Sequence, residues 1–485
     1  MSSTGAISTN APIVRVALEP AWPGDLDKMI RGLRLLEQAD PAVIYEQLES
    51  GEHVIVTAGE LHLERCLKDL RERFAKCDIQ AGKVIVPYRE GIVKAEEMNQ
   101  PRDATLGRGR IEVVTTSKQV TIRMAVKPLP EPVIQFLVKN AGAIKKLYSQ
   151  RRAEEERRMR SHASDGVDGP PPEHTGEGDR IEEAADTETG TALSMDEFKK
   201  QLGAAFAEAK ADRDIWHDVV DKITSLGPRR TGPNMLIDAT AENICGKFLG
   251  EAHDQESSDG TSTDAPTLRP QDFSDKISYA FQLATHQGPL CNEPMQGVAV
   301  FLEAVSINPA STDDDTSRSN LGRLTGEVIK AVRDGIRTAF LDWSPRLLLA
   351  MYSCEIQASA EVLGRVYGVI TRRRGRIISE SLLEPSPNFT IVALLPVAES
   401  FGFADDIRKR TSGAASPQLI FEGFEMLDED PFWVPFTEEE LEDLGELADR
   451  ENVAKKYVDA VRERKGLFVK KKVVEHGEKQ KTLKR

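Results

Sequence analysis

Glu60, His62 and Glu64 alternate along one short segment, and carboxylate and imidazole groups are ordinary ligands for metal ions. A complete site also needs a third and a fourth ligand at matching spacing, and the sequence does not supply them. The alternative is that His62 packs or caps on a helix with a leucine-rich apolar face. We therefore predict no metal site in this chain.

Arg372, Arg373, Arg374 and Arg376 form a basic cluster between a predicted helix and a predicted strand. A guanidinium group can donate two parallel hydrogen bonds to a phosphate, so one interpretation is contact with RNA. The other interpretation is a solvated turn with no partner. Residue type and spacing alone leave both open.

A phosphate-binding loop of the form GxxxxGK[ST] does not occur in this sequence. The two Gly-Lys pairs, Gly82-Lys83 and Gly246-Lys247, are followed by valine and phenylalanine rather than by serine or threonine. Without that loop there is no ring of backbone N–H groups for phosphates and no hydroxyl for Mg²⁺. We predict no nucleotide site and no catalytic residue in this chain.

The charge of the 485-residue chain is −15 overall, but it is unevenly distributed. Residues 425–451 hold twelve acids against one base, whereas residues 462–485 hold ten Lys and Arg against three Glu. Local patches therefore predict partners better than net charge does. No apolar run is long enough to span a membrane, and the five scattered cysteines favour a reducing cytosolic or nuclear compartment, without disulfides or zinc.

Residues 13–88 follow the order strand, helix, strand, strand, helix, strand, with elements predicted at 13–19, 25–38, 42–48, 53–57, 60–74 and 84–86. The same order recurs at 347–357, 360–372, 376–383, 389–396, 403–410 and 419–426. Two copies of a split βαβ pattern predict two ferredoxin-like α+β domains.

The region between these repeats predicts a further α+β domain with polar insertions. Strands are predicted at 110–116, 120–126 and 297–307, and helices after Pro132, at 275–286 and at 322–342. The insertions, at about 161–193 and 251–272, are poor in large apolar side chains, so we predict that they are disordered. Capping patterns at Ser194 and Thr437 predict two further helices.

Several segments resemble the elongation factor 2 family of translational GTPases. TAGELHLE at 57–64 is similar to the third domain of that family, GPNMLID at 232–238 to its fourth, and VYGV at 366–369 with LPVAESFGF at 395–403 to its fifth. The resemblance implies ferredoxin-like folds for residues 1–88 and 346–430, flanking a ribosomal-protein-S5-like fold at 89–345. A C-terminal helix and basic tail would occupy 431–485.

The resemblance favours one branch of this family. Translocating members carry a histidine that becomes diphthamide at the tip of the fourth domain, but the corresponding residues 307–321 contain no histidine. Three consecutive aspartates, Asp313 to Asp315, would also repel an RNA backbone there. RKGLF at 464–468 and the residues at 474–483 are similar to the elongation-factor-like GTPase of ribosome assembly. A translocase half remains the alternative.

The assembly branch implies a function in cytoplasmic maturation of the large (60S) ribosomal subunit. The implied partners are that subunit and its rRNA, the Shwachman–Bodian–Diamond syndrome protein, and the anti-association initiation factor whose release is promoted. The arginines at 372–376 would contact rRNA. GTP and Mg²⁺ would require a G domain that these residues lack. A further hypothesis is an incomplete gene model, with the G domain encoded upstream of Met1.

Overall fold

The computed structural model describes residues 12–47, 52–82, 84–95, 98, 100–163, 194–208, 213–249, 269–308, 321–382, 388–433, 442 and 452–469. By contacts, the chain divides into two compact units, Met1–Arg89 with Leu348–Leu427 and Glu90–Leu347 with Asp428–Arg485. The tip at 309–320, the cap at Thr437, the basic tail beyond 469 and most of both predicted insertions lie outside the described residues. Across the described part, no helix is both long enough and apolar enough to cross a membrane.

The first ferredoxin-like domain has six elements in the order strand, helix, strand, strand, helix, strand, as predicted. They are β1 (Val14–Pro20), α1 (Leu26–Ala39), β2 (Ile44–Gln47), β3 (His53–Thr57), α2 (Glu60–Asp69, continued by a π-helical turn at Leu70–Phe74) and β4 (Ile79–Ala81). The antiparallel sheet has the order β2-β3-β1-β4. Alternate residues of β1 are buried, and α1 buries Met29, Leu33 and Leu36 at helical spacing.

The last strand of this domain is not where the sequence pattern put it. The prediction of a strand at 84–86 is wrong. The strand that pairs with Leu18–Pro20 is β4, at Ile79–Ala81, which begins five residues before the predicted one. Ile85 makes only an isolated bridge to Arg15. The choice between the two segments is made by long-range pairing with β1, which local β propensity does not report.

The middle region supplies one strand and then an α+β domain. Its elements are β5 (Tyr88–Val93), β6 (Arg110–Val114), β7 (Val120–Pro128), α3 (Glu131–Lys139), α4 (Ala141–Ala163), α5 (Met195–Glu208), α6 (Arg213–Trp216), β8 (Ile223–Gly227), β9 (Asn234–Asp238), α7 (Ser274–His286), β10 (Val298–Ile307) and α8 (Leu321–Phe340). The Ser194 hydroxyl accepts from the Glu197 N–H at 3.2 Å, which confirms the predicted cap of α5.

The sheet of this domain has the order β6-β7-β10-β9-β8, with β10 and β9 parallel and the other neighbours antiparallel. Alternation along β7 points Ala125 toward a core shared with α3, α4 and α5, whereas Met124 meets Gly335 of α8 on the other face. Helices therefore cover both faces, and most positions of the inner strands are buried.

The helix predicted after Pro132 is two helices in the structure. α3 begins at Glu131 with proline in its first turn, where a missing N–H costs nothing. Asn140 then leaves the helical region, and its side-chain amide donates to the Phe136 carbonyl at 2.9 Å. This side-chain bond satisfies the end of α3, and α4 starts one residue later.

The second ferredoxin-like domain repeats the topology of the first. It consists of β11 (Ser344–Ser359), α9 (Leu363–Arg372), β12 (Arg376–Leu382), β13 (Asn388–Pro396), α10 (Phe403–Thr411) and β14 (Ala415–Met426). The strand order β12-β13-β11-β14 matches β2-β3-β1-β4, which confirms the predicted α+β class and the two ferredoxin-like folds. Beyond it, α11 (Val453–Arg464) is capped by the Asn452 side chain.

Candidate nucleic-acid interface

The arginine turn, residues 372–376, connects the end of α9 to the start of β12. Its backbone reverses at Arg374, whose φ of +57° lies in the left-handed region. The Gly375 N–H donates to the Ile370 carbonyl at 2.9 Å, and a Cβ at Gly375 would lie 2.7 Å from the Ile370 side chain. Close packing therefore requires glycine here and fixes the shape of the turn.

Arg373 holds this turn against the rest of its own domain. Its guanidinium group donates to the Glu399 carbonyl at 2.9 Å and to the Phe401 carbonyl, and it forms an ion pair with Asp406 at the start of α10. The hydrogen bond from Arg373 lowers the pKa of Asp406. Arg373 is thus a structural clamp, and its donors already have three protein acceptors.

We expect Arg373→Ala to destabilise the second ferredoxin-like domain by about 2–3 kcal/mol, because two carbonyls and a carboxylate lose a charged donor. Hydrogen exchange in α10, read by mass spectrometry on the whole chain, should report the loss. Arg372→Ala, an exposed neighbour, is the matched control and should leave exchange unchanged.

The same pair has a defined pH dependence. Since the pKa of Asp406 is lowered in the folded state, its stabilisation is complete above the ordinary carboxyl range and is lost as the pH falls through the lowered value. The difference between the parent and Arg373→Ala should therefore shrink in acid. A difference that persists unchanged, or is absent at neutral pH, would contradict the clamp.

The other three arginines of the turn are exposed. Arg376 lies 2.6 Å from a Glu425 carboxylate oxygen, yet 67% of the Arg376 side chain remains accessible to solvent. Exposed pairs of this kind contribute only about 0–1 kcal/mol, so a phosphate could replace Glu425 at little cost. Arg372, Arg374 and Arg376 can therefore present guanidinium groups to an RNA backbone. Contact of the four arginines with rRNA stays a prediction.

The structure also brings His62 next to two possible ligands that the sequence did not suggest, Asp40 and Cys66. One atom from each of the three lies within 4.8 Å of the others. However, the His62 ring already uses both nitrogens: Nδ1 accepts from the Ala58 N–H at 3.2 Å and Nε2 lies 2.9 Å from Asp40. Burial, with Asp40 adding to it, raises the pKa of the Cys66 thiol to about 11. This chemistry fits a hydrogen-bonded histidine better than a metal centre.

Glu60 has a different role from the one its spacing suggested. Its carboxylate accepts from the Gly402 N–H at 2.7 Å, and the nearby Ala58 carbonyl accepts from the Tyr352 hydroxyl at 2.8 Å. Both bonds lie inside the first compact unit and join the two ferredoxin-like domains. The LPVAESFGF and TAGELHLE segments therefore meet in space, although about 340 residues separate them.

Three family models match parts of this chain. Residues 9–83 match the model described as Elongation Factor G, domain III, residues 173–239 match an Elongation factor-like GTPase 1-like domain, and residues 346–433 match the Elongation factor G C-terminus. The order of the three matches along the chain is the order in which the resembling segments occur.

Curated relatives are similar over almost the whole chain. Ribosome assembly protein 1 from Schizosaccharomyces pombe is 46% identical over 99% of this chain and 44% of its own length. The Saccharomyces cerevisiae protein of the same name is 43% identical over 98% of the chain and 39% of its own length. Elongation factor-like GTPase 1 from Homo sapiens is 37% identical over 97% of the chain and 45% of its own length. The chain thus spans less than half the length of these relatives.

Proposed function

We propose that this chain, which belongs to the elongation factor 2 family of translational GTPases, is the ribosome-binding C-terminal part of a GTPase that matures the large ribosomal subunit. The relatives named for ribosome assembly support the coarse assignment. The proposal is finer than those names, since it specifies the 60S subunit, the cytoplasm and the release of the anti-association initiation factor. The observation that carries it in the structure is the exposed arginine turn on the second ferredoxin-like domain.

The proposed mechanism is conformational and uses no side-chain chemistry in these residues. The sequence has no phosphate-binding loop, so we place GTP and Mg²⁺ in a part of the protein outside these 485 residues. Hydrolysis there would change how the C-terminal domains engage the subunit. The Shwachman–Bodian–Diamond syndrome protein would act on the same particle, and departure of the anti-association factor would follow.

Within the family, the alternative of a decoding-site translocase is disfavoured by the tip sequence. Residues 307–321 offer three aspartates and no histidine, which is a poor surface for tRNA or messenger. Most of this tip lies outside the described residues, so the argument rests on its composition alone.

Binding to purified 60S subunits should be strongly salt-dependent. Cosedimentation across a series of salt concentrations would give the slope of log K against log salt, which reports the phosphates contacted. The triple variant Arg372→Gln, Arg374→Gln, Arg376→Gln should weaken binding by about tenfold or more and reduce the slope by about 2–3. Arg373 is left intact because it clamps the fold.

The matched control replaces three exposed lysines elsewhere with glutamine: Lys139→Gln, Lys145→Gln and Lys146→Gln. That variant has the same change in net charge, so it should retain the parent affinity and slope if the arginine turn is the contact. Absence of subunit binding even at low salt would overturn the proposed function. Equal losses of affinity in both variants would show that binding depends on net charge alone, and the arginine turn would no longer be the proposed contact.

A further inference from the structure

A cleft of about 770 Å³ opens in the second compact unit, at the start of β6 and the end of β7. Its lining combines Trp216 and Trp343 with Lys94, Arg108, Arg110 and Lys127. The arginine turn lies in the other unit, so this is a separate surface. Ligand sites of this volume hold molecules of nucleotide size.

A Gly-Arg-Gly-Arg segment, residues 107–110, builds one wall of this cleft. Gly107 and Gly109 both have positive φ, of +84° and +71°. A Cβ on Gly109 would lie 2.3 Å from Trp343 Nε1 and 2.4 Å from the Val126 carbonyl, so only glycine lets the indole approach this closely. Arg108 and Arg110 of this segment line the cleft together with the Trp343 indole.

Asp342 fixes this wall in position. One carboxylate oxygen accepts from the Gly109 N–H at 2.6 Å and the other from the Arg102 N–H at 2.8 Å. Its carbonyl accepts from the Arg108 guanidinium at 2.7 Å, and Trp343 donates to the Val126 carbonyl at 2.7 Å. The cleft is thus organised before any ligand arrives, which lowers the entropic cost of binding.

The charge of the cleft contrasts with that of the chain. Four cations line it against two carboxylates, Glu131 and Glu208, whereas the whole chain carries −15. Arg110 is paired with Glu303 at 3.0 Å, but nearly half of the arginine side chain remains exposed. Lys127 lies 5.2 Å from the centre of the Phe301 ring. An anion can therefore be met by cations attached to a rigid sheet.

The two tryptophans supply the apolar part of the lining. Trp216 stacks on Phe206, with ring centroids 5.5 Å apart, and is itself largely buried. The partly exposed Trp343 is therefore the aromatic surface that a ligand can reach. An aromatic surface beside cations matches a ligand that carries a π face and a negative charge in one small unit. An unstacked nucleotide has both features, and single-stranded RNA binders use this combination. A duplex keeps its bases stacked and cannot insert one.

We propose that this cleft binds about one or two unstacked nucleotides of a single-stranded RNA segment, with phosphates on Arg110 and Lys127 and a base against Trp343. The inference rests on the proposed function only in taking ribosomal RNA as the natural source. It adds a second RNA contact, chemically different from the arginine turn, because it selects exposed bases rather than backbone.

The test uses the full chain and fluorescently labelled oligouridine and oligoadenosine about eight nucleotides long. Anisotropy should show binding, and intrinsic fluorescence should fall because two of the four tryptophans line the cleft. Arg110→Gln with Lys127→Gln should weaken binding by about tenfold. Lys145→Gln with Lys146→Gln is the charge-matched control and should change it by less than about twofold.

A duplex of the same sequence and an acidic peptide complete the experiment. Each should bind at least about tenfold more weakly than the single strand. The inference is overturned if the cleft variant binds RNA like the control, or if the duplex or the peptide binds as tightly as the single strand. Circular dichroism of both variants confirms that they are folded.

The outcomes separate this inference from the proposed function. If 60S binding remains sensitive to the arginine turn while oligonucleotides do not bind, the cleft is overturned and the proposed function stands. If oligonucleotides bind in the cleft but 60S subunits do not bind at low salt, the function is overturned and the RNA site stands.

Discussion

Replacing Glu90 with alanine should lower the free energy of unfolding of the second compact unit by about 3 kcal/mol or more, since three buried N–H groups would lose their acceptor at a cost of at least about 1 kcal/mol each. Glu90 is fully buried in β5. One carboxylate oxygen accepts from the Leu290 N–H at 2.7 Å, and the other accepts from Cys291 and Glu293, both at 2.9 Å.

The loop that carries these N–H donors also contacts α8 and α11, so the loss of stability should extend to these helices. Arg462 and Lys465 at the end of α11 donate to the Leu290 and Asn292 carbonyls. Arg337 of α8 donates to the Asn292 side chain at 3.0 Å. Without Glu90 the loop loses its internal acceptor, and hydrogen exchange should rise in α11 as well as in β5.

A graded series separates the acceptor from the space it fills. Glu90→Gln keeps the side-chain volume, but its NH₂ group would face one of the three N–H groups that the carboxylate accepts from. The free energy of unfolding of Glu90→Gln should therefore lie between those of the parent and Glu90→Ala. Gly288→Ala should displace the Glu90 carboxylate without removing it, because a Cβ at residue 288 would lie 2.1 Å from a carboxylate oxygen. Glu242→Ala, at an exposed position, is the control and should change stability by less than about 0.5 kcal/mol.

Glu90 should also contribute a pH dependence of recognisable sign. Burial raises the pKa of Glu90, and the hydrogen bonds from Cys291, Glu293 and Leu290 oppose that rise. Because the pKa of Glu90 is raised in the folded state, protonation of Glu90 stabilises the fold. This proton-linked stabilisation is complete below the ordinary carboxyl pKa and is lost as the pH rises through the folded-state pKa. Denaturation of the parent and of Glu90→Gln across that window should show the slope only in the parent. Parallel curves, or a stable Glu90→Ala chain, would contradict this account.

Local patterns were sufficient to predict the two ferredoxin-like domains, and the reason is physical. A strand with one buried face alternates, and a covering helix repeats every three to four residues, so β1, α1, β13 and α10 are each encoded in their own segment. The strand at 79–81 was missed because its pairing with β1, rather than its composition, selects it over 84–86. β5 was missed for a similar reason, since the partners of its Glu90 lie about 200 residues further along the chain.

The candidate sites were less predictable because their partners are distant in sequence. The basic cluster at 372–376 was visible, but nothing local shows that Arg373 differs from its neighbours, as its acceptors lie 26 to 33 residues further on. The cleft depends on Trp343 reaching Val126 and Gly109, more than 200 residues away. The repeated glycine at 107 and 109 was the one local signal, since paired glycines beside arginines indicate a constrained basic turn.

Those two glycines allow the cost of backbone conformation to be separated from the cost of collision. Gly107→Ala forces alanine into the left-handed region with nothing within 4 Å of its Cβ, so it should cost about 1–2 kcal/mol. Gly109→Ala pays the same conformational cost and also places its Cβ against the Trp343 indole and the Val126 carbonyl. Overpacking typically adds about 1–3 kcal/mol, which should bring the total to about 2–5 kcal/mol.

The readouts should separate in the same way. In Gly109→Ala the Trp343 indole must leave the Val126 carbonyl, so near-ultraviolet circular dichroism should change and single-stranded oligonucleotides should lose affinity for the cleft. In Gly107→Ala the indole keeps its hydrogen bond, so both signals should stay near those of the parent. Equal destabilisation of the two variants would mean that the close approach of Trp343 to residue 109 does not exist in solution, and the wall of the cleft would then lose its structural basis.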